Sequence, residues 1–163
     1  MYTAALEFLE DERESWRPYE ALSGLSDAQL ERPTPADGPG HGWSGRRLLS
    51  HMIAWREHLL DVARELAVGD RSPAKDRMDA DWKARGDAVN DDLFDQWDRL
   101  PLDELRARCA DVPGELRGTL TVVPEARWLK DSRMQALFLL DTIEHDEEHL
   151  AVLECVLAQA VGE

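Results

Sequence analysis

Residues 43–69 read WSGRRLLSHMIAWREHLLDVARELAVG, and this stretch carries the clearest helical pattern in the chain. Its apolar residues recur at alternating spacings of four and three, which places them on one face of an α-helix. Ser44 is a favoured N-cap residue, and Gly69 is a typical C-terminal stop. We therefore predict an amphipathic helix whose apolar face packs against a core. That face consists of Leu48, Met52, Trp55, Leu59, Val62 and Leu66.

The remaining chain also favours helices, because apolar residues repeat at helical spacing and no segment sustains the alternation of a strand. We expect a first helix over residues 3–22, which Pro18 kinks or shortens. A third helical stretch should cover residues 78–97. The last and most apolar helix should begin near Ser132, with Gln135 as its capping-box partner. The sequence thus predicts an all-α protein.

Two prolines bear on a further helical period over residues 102–120. Pro101 should end the helix that precedes this period, because a proline disfavours helical backbone in the residue before it. Pro113 lies inside the period and marks either a break or the start of a new turn.

Length and composition indicate one ordinary globular domain over residues 1–163. This length is close to the common domain size of about 100–150 residues. Hydrophobic residues make up 43% and charged residues 33%, which excludes both a disordered chain and a membrane protein. The N-terminus has no basic leader followed by an apolar core. We therefore expect a cytoplasmic protein.

The net charge is strongly negative, at −15, from 34 acidic and 19 basic side chains. Such a charge repels nucleic-acid phosphates and anionic membrane surfaces. The densest basic patch is the pair Arg46 and Arg47, which is too short to follow a nucleic-acid backbone. We therefore predict neither a nucleic-acid partner nor a membrane partner.

Two histidines of the last helix lie four residues apart, which places His145 and His149 on one face. At about 100° per residue, that face is the apolar one, whereas the opposite face carries glutamates. Burying an imidazole without a partner costs about 1–3 kcal/mol. The pair therefore consists either of hydrogen-bonded core histidines or of metal ligands.

A third histidine, His51, lies at the edge of the apolar face of the residue 43–69 helix. Three imidazoles from two helices match the ligand count of catalytic zinc sites, which leave a fourth position for water. His58 lies two turns further along the same side and is the rival for this role. Antiparallel packing would bring His51, rather than His58, to the level of His145 and His149. We therefore predict a metal site formed by His51, His145 and His149, with His58 beside it or at the surface.

Three carboxylates lie within a turn of the paired histidines, namely Asp141, Asp146 and Glu148. We expect most of them to be solvated or ion-paired between helices, although one could orient an imidazole. The order HDEEH at residues 145–149 lacks the glutamate that follows the first histidine in HExxH metalloproteases. No general acid or base is assigned from spacing alone.

Tryptophan is abundant, with six residues in the chain. Trp43, Trp55 and Trp128 could line a pocket at the end of the bundle. Packing in the core is the interpretation that we favour for them.

Several segments resemble those of DinB/YfiT-like proteins. WSGRRLLSHMIAWR, residues 43–56, is similar to their second-helix signature, in which a tryptophan precedes the helix and a histidine on it binds metal. TIEHDEEHLAVL, residues 142–153, resembles their C-terminal HxxxH segment. GLSDAQLERP and GDAVNDDLF are also similar to stretches common in these proteins. The likeness covers nearly the whole chain.

This resemblance implies an up-and-down four-helix bundle that is often a homodimer and holds a divalent metal on a histidine triad. Transferred to this sequence, the triad falls on His51, His145 and His149. Imidazole ligands suit zinc, nickel, iron or copper, and we expect zinc or nickel.

The resemblance also implies a range of functions. Some relatives are transferases or isomerases that use low-molecular-weight thiols, some are hydrolases, and a ClbS/DfsB-like branch protects cells from a reactive metabolite. We expect a metal-dependent enzyme, active in stress or detoxification, that activates water as a hydrolase or a low-molecular-weight thiol as a transferase. The alternative is a non-catalytic protective protein that binds a small molecule or a metal.

Overall fold

The computed structural model describes residues 1–161, and α-helices dominate this range. No strand occurs among the described residues, so the all-α prediction is confirmed. None of the helices in this range is long and apolar enough to cross a membrane. The α-helices are α1 (Ala5–Trp16), α2 (Asp27–Glu31), α3 (Gly45–Val68), α4 (Pro73–Arg85), α5 (Ala88–Asp98), α6 (Leu102–Leu120), α7 (Ser132–Leu139) and α8 (His145–Val161).

Helix α3 is the centre of the fold and packs against α5, α6 and α8. It begins after Ser44, whose hydroxyl accepts a hydrogen bond from the Arg47 backbone N–H, and it ends before Gly69. Both predicted ends are therefore confirmed. The predicted apolar face is buried except for Trp55, which is half-buried. The two halves of α3 belong to two separate apolar clusters, and the buried side chain of Arg56 lies between them along the helix.

One proline shortens the first predicted helix, and one glycine divides the third. Helix α1 ends at Trp16, and a 3₁₀ segment (Arg17–Gly24) follows, so Pro18 shortens the helix as predicted. The stretch predicted over residues 78–97 begins earlier, at Pro73, and is split into α4 and α5. Gly86 makes this split with φ 56° and ψ −131°, a conformation that is essentially restricted to glycine.

Helix α6 continues through Pro113, so this proline marks neither a break nor a new start. A proline within a helix removes one backbone hydrogen bond and costs about 3 kcal/mol. Val112 and Leu116, on either side of it, are fully buried in the two apolar clusters. Each such burial contributes about 1.5–3 kcal/mol, which is enough to keep the helix intact.

The last helical region begins at Ser132, as predicted, but its cap differs from the predicted one. Asp131, and not Ser132, is the N-cap, and its carboxylate accepts hydrogen bonds from the backbone N–H groups of residues 133 and 134. The capping-box role predicted for Gln135 is wrong, because its side-chain amide instead hydrogen-bonds the backbone of Tyr2 and Leu129. This amide ties the N-terminus to the start of α7.

The last helix is not uniform, because a π-helical segment (Leu140–Glu144) separates α7 from α8. A π turn inserts an extra residue and therefore rotates the residues that follow it relative to those before it. The segment ends directly before His145. The structure thus sets the direction of the two histidines on α8 through an irregularity that regular helical spacing does not anticipate.

Candidate metal centre

The three predicted ligands lie together in the structure. His51 projects from α3, and His145 and His149 project from the first two turns of α8. The His51 Nε2 atom is 2.8 Å from the Nε2 atom of His145 and 2.8 Å from that of His149. The ligand atoms of all three lie within 4.8 Å of one another. This grouping can hold one metal ion.

Two aromatic side chains hold these rings in place. The Trp43 ring stacks on His149, with centroids 5.5 Å apart, and meets His51 edge-on at 5.1 Å. Phe94, from α5, lies 4.5 Å from the His51 ring. His51 is therefore packed on two sides by rings from outside its own helix.

Burial keeps the imidazoles uncharged. Burial, together with the adjacent imidazoles and the nearby arginines, lowers the pKa of His51 to about 2 and that of His145 to about 3. Burial also lowers the pKa of His149. Near neutral pH all three rings are thus neutral, which is the form that binds metal.

The hydrogen bonding of the triad is incomplete without an additional partner. His51 Nε2 faces the Nε2 atoms of both other rings, and one ring nitrogen can donate at most one hydrogen. The Nδ1 atoms of His51 and His145 are buried and have no partner in residues 1–161. A cation shared by three Nε2 lone pairs would satisfy the first deficit, so the donor set fits a metal ion.

The nearby carboxylates do not orient the histidines, because no hydrogen bond joins them to an imidazole within the described range. Asp146 is buried and points to Arg56, with 2.6 Å between its Oδ2 and the guanidinium Nη2. An ion pair between helices is one of the two environments that the sequence predicted for most of these groups. Glu148 is exposed, whereas Asp141 is half-buried, and burial raises its pKa to about 7.

A cavity of about 830 Å³ opens beside the triad. Trp43 and Trp55 line it, together with Trp82, Phe94, Asp141 and Glu148. Trp128 instead lies in the core, fully buried, so the favoured packing interpretation is correct for this tryptophan alone. Trp82 cannot be identified from the sequence, since its neighbours on α4 are mostly charged and no apolar pattern distinguishes it.

His58 does not belong to the triad. Its ring lies edge-on to Trp55, with centroids 6.2 Å apart, and its Nε2 atom is buried without a partner in the described chain. On α3 it is thus His51, and not His58, that lies beside His145 and His149.

The model of the family described as Mycothiol maleylpyruvate isomerase N-terminal domain matches residues 9–141, well over half of the chain. The chain belongs to this family. It is a DinB/YfiT-like helical family, so the resemblance seen in the sequence motifs is confirmed. No curated protein and no solved structure matched the chain.

The match to the mycothiol maleylpyruvate isomerase N-terminal domain family includes His51 and stops at Asp141. His145 and His149 lie beyond the matched residues. It is therefore the packing of α8 against α3, and not the family match, that links these two histidines to His51.

Proposed function

We propose that this chain is a metal-dependent enzyme that activates a low-molecular-weight thiol for transfer to a substrate held in the cavity. The observation that carries this proposal is the convergence of three neutral imidazole Nε2 atoms at the wall of an aromatic cavity. Three protein ligands are typical of catalytic zinc sites, which keep one position open. The family name, which includes mycothiol, supports a thiol as the occupant of that position.

His51, His145 and His149 would hold the ion, and we propose zinc or nickel because imidazole suits both. When bound there, a divalent ion supplies a lowered pKa for a coordinated thiol or water and hence a nucleophile near neutral pH. The aromatic walls exclude water and bind the apolar part of a substrate. The same site with water as the nucleophile would make the protein a hydrolase.

Asp141 is the group that we propose to accept a proton during the reaction. It lines the same cavity, and burial raises its pKa to about 7, which is suited to proton transfer near neutral pH. A sequestering protein has no need of such a carboxyl group. Asp141 therefore favours catalysis over the non-catalytic protective function.

We further propose that residues 1–163 form a single domain, with an up-and-down core made by α1, α3, α6 and the α7–α8 pair. These elements contain or contact the two apolar clusters. The smaller helices α4 and α5 then serve to wall the cavity.

Loading the protein with Co²⁺ gives a direct test of thiol binding, because a thiolate bound to Co²⁺ produces an intense near-ultraviolet charge-transfer band. We expect mycothiol to produce this band in the cobalt-loaded wild type. S-methylated mycothiol should not produce it, and neither should the variant His51→Ala. Failure of the wild type to bind any divalent ion would refute the metal site, whereas ion binding without the thiol band would leave water as the nucleophile.

A further inference from the structure

The two arginines of the short basic pair have different environments in the structure. Arg46 is fully engaged, because its guanidinium donates to the Glu31 carboxylate at 2.7 Å and to the carbonyl oxygens of Asp98 and Leu100. The Arg47 side chain makes no hydrogen bond or ion pair to any residue in the described range 1–161. Its guanidinium donors are thus free to bind something else.

Aromatic rings, rather than carboxylates, hold Arg47. Its guanidinium carbon lies 4.7 Å from the centroid of the Phe94 ring and 6.0 Å from that of Trp43. Both rings also contact His51, which follows Arg47 by one turn on α3. Arg47 lines the same cavity as the triad. A fixed cation therefore lies beside the candidate metal centre.

The absence of an ion pair is notable because acidic groups are plentiful around the cavity. Five carboxylates line it, yet none pairs with Arg47, and one of them, Asp79, pairs with Lys75 instead. Stacking on aromatic faces leaves the planar edge of a guanidinium available for two parallel hydrogen bonds. Carboxylates and phosphates both match this edge, and the five carboxylates around the cavity repel a singly charged carboxylate less than a doubly charged phosphate.

We propose that Arg47 binds a carboxylate of the substrate, so that the site accepts compounds in which a carboxylate is attached to an apolar body. The body would lie along the aromatic wall formed by Trp43, Trp55 and Trp82. The claim that this compound is the substrate rests on the proposed function, in which the thiol held at the triad attacks a compound bound in the cavity. The carboxylate site itself does not require the metal.

Benzoate and benzamide are suitable probes, because they share a flat apolar body and differ in charge. Binding of each is measured by titration calorimetry on protein stripped of metal with a chelator, for the wild type, for Arg47→Gln and for the control Arg77→Gln. Arg77 is an exposed residue of α4 that does not line the cavity, so its replacement changes the net charge equally.

We expect the wild type to bind benzoate saturably and more tightly than benzamide. Arg47→Gln should lose roughly tenfold or more in benzoate affinity, which is the scale of a charge-assisted pair, and should keep its benzamide affinity. Arg77→Gln should bind like the wild type. Stoichiometric Zn²⁺ uptake by Arg47→Gln, equal to that of the wild type, checks that the triad remains intact in the variant.

The proposal is wrong if metal-free wild type does not distinguish benzoate from benzamide, or if Arg47→Gln binds benzoate as the wild type does. Because these titrations need no metal, they fail independently of the proposed function. A protein that binds no Zn²⁺ yet shows the Arg47-dependent benzoate site would refute the metalloenzyme and keep the carboxylate site.

Discussion

The two histidines of α3 share one side of the helix, but their surroundings differ. His51 lies between two aromatic rings and two imidazoles, whereas His58 contacts Trp55 and no other histidine. One histidine thus faces potential ligands, and the other lies against an indole ring. The difference follows from which residues of α8 and α5 lie opposite each turn of α3.

We predict that His51→Ala abolishes stoichiometric binding of a divalent metal and that His58→Ala does not. Loss of one ligand of three leaves two imidazoles, a larger defect than the 10–100-fold loss typical of residues that only orient ligands. Elemental analysis of each variant, purified without a metal-affinity tag and reloaded with Zn²⁺, makes the comparison. Metal retained by His51→Ala but lost by His58→Ala would reverse the assignment.

Asp141 provides a prediction for the dependence of stability on pH. Its pKa is raised from 3.8 to about 7, so between these values the folded state binds more protons than the unfolded state. The contribution of Asp141 to stability is therefore largest at low pH and is lost as the pH rises toward 7. Asp141→Asn should remove this loss. In metal-free protein at pH 8, the free energy of unfolding of Asp141→Asn should exceed that of the wild type by on the order of 1–3 kcal/mol.

The measurement is urea unfolding of the two proteins at pH 5 and at pH 8. The advantage of Asp141→Asn should be greater at pH 8 than at pH 5. An equal difference at both values would show that the carboxyl group does not titrate in this range. Glu148→Gln is a control, because this residue also lines the cavity but is exposed.

Between elements, the buried group around Arg56 joins α3 to both α1 and α8. The Arg56 guanidinium contacts Asp146 on α8 and Glu12 on α1 and lies 4.2 Å above the Trp16 ring. The Tyr19 hydroxyl donates to the Asp146 backbone carbonyl at 2.6 Å. Because Asp146 directly follows His145, this group also anchors the turn that carries a proposed ligand.

We predict that Arg56→Met destabilises the fold by about 3–5 kcal/mol, since it leaves the buried Asp146 carboxylate without a cation and leaves Glu12 with Arg117 alone. The matched control is Arg64→Met on the same helix, whose ion pair with Glu115 is largely exposed and is worth about 0–1 kcal/mol. Denaturant unfolding at pH 7 gives both values. The double variant Arg56→Met with Asp146→Leu should lose less than the sum of its single changes, and strict additivity would argue against a coupled pair.

For the whole molecule, the charge predicts a lack of affinity for nucleic acid. At a net charge of −15, the chain repels a polyanion. Of the basic pair, Arg46 is ion-paired with Glu31 and Arg47 lines the cavity, so the two do not form a basic surface for DNA. We expect no binding of duplex DNA at physiological salt. A mobility shift at low micromolar protein would contradict this, with a basic DNA-binding protein as the positive control.

The oligomeric state is also a property of the whole molecule. The family resemblance leads us to expect a homodimer. Sedimentation equilibrium across the micromolar range should give twice the chain mass of 18.5 kDa. A mass of one chain throughout that range would remove the expectation.

The sequence by itself determined the features that depend on neighbours along the chain. Helix α3 is the clearest case, because its cap, its apolar face and its terminal glycine all lie within one segment. The grouping of His51 with His145 and His149 was also predictable, since helical spacing assigns each residue to a face and the resemblance supplies the pairing of the two helices. Two errors, the missed helix start at Pro73 and the capping role given to Gln135, came from residues that can serve locally in more than one role.

Only the tertiary structure decided which partner each polar side chain finds. Arg46 and Arg47 are adjacent and chemically identical. Arg46 nevertheless donates hydrogen bonds to carboxylate and carbonyl acceptors, whereas Arg47 stacks on Phe94. Likewise, Asp146 forms an ion pair with Arg56, whereas Asp141 lines the cavity. The physical reason is that burial and pairing depend on elements distant in sequence, whereas spacing along one helix specifies a direction and not what lies there.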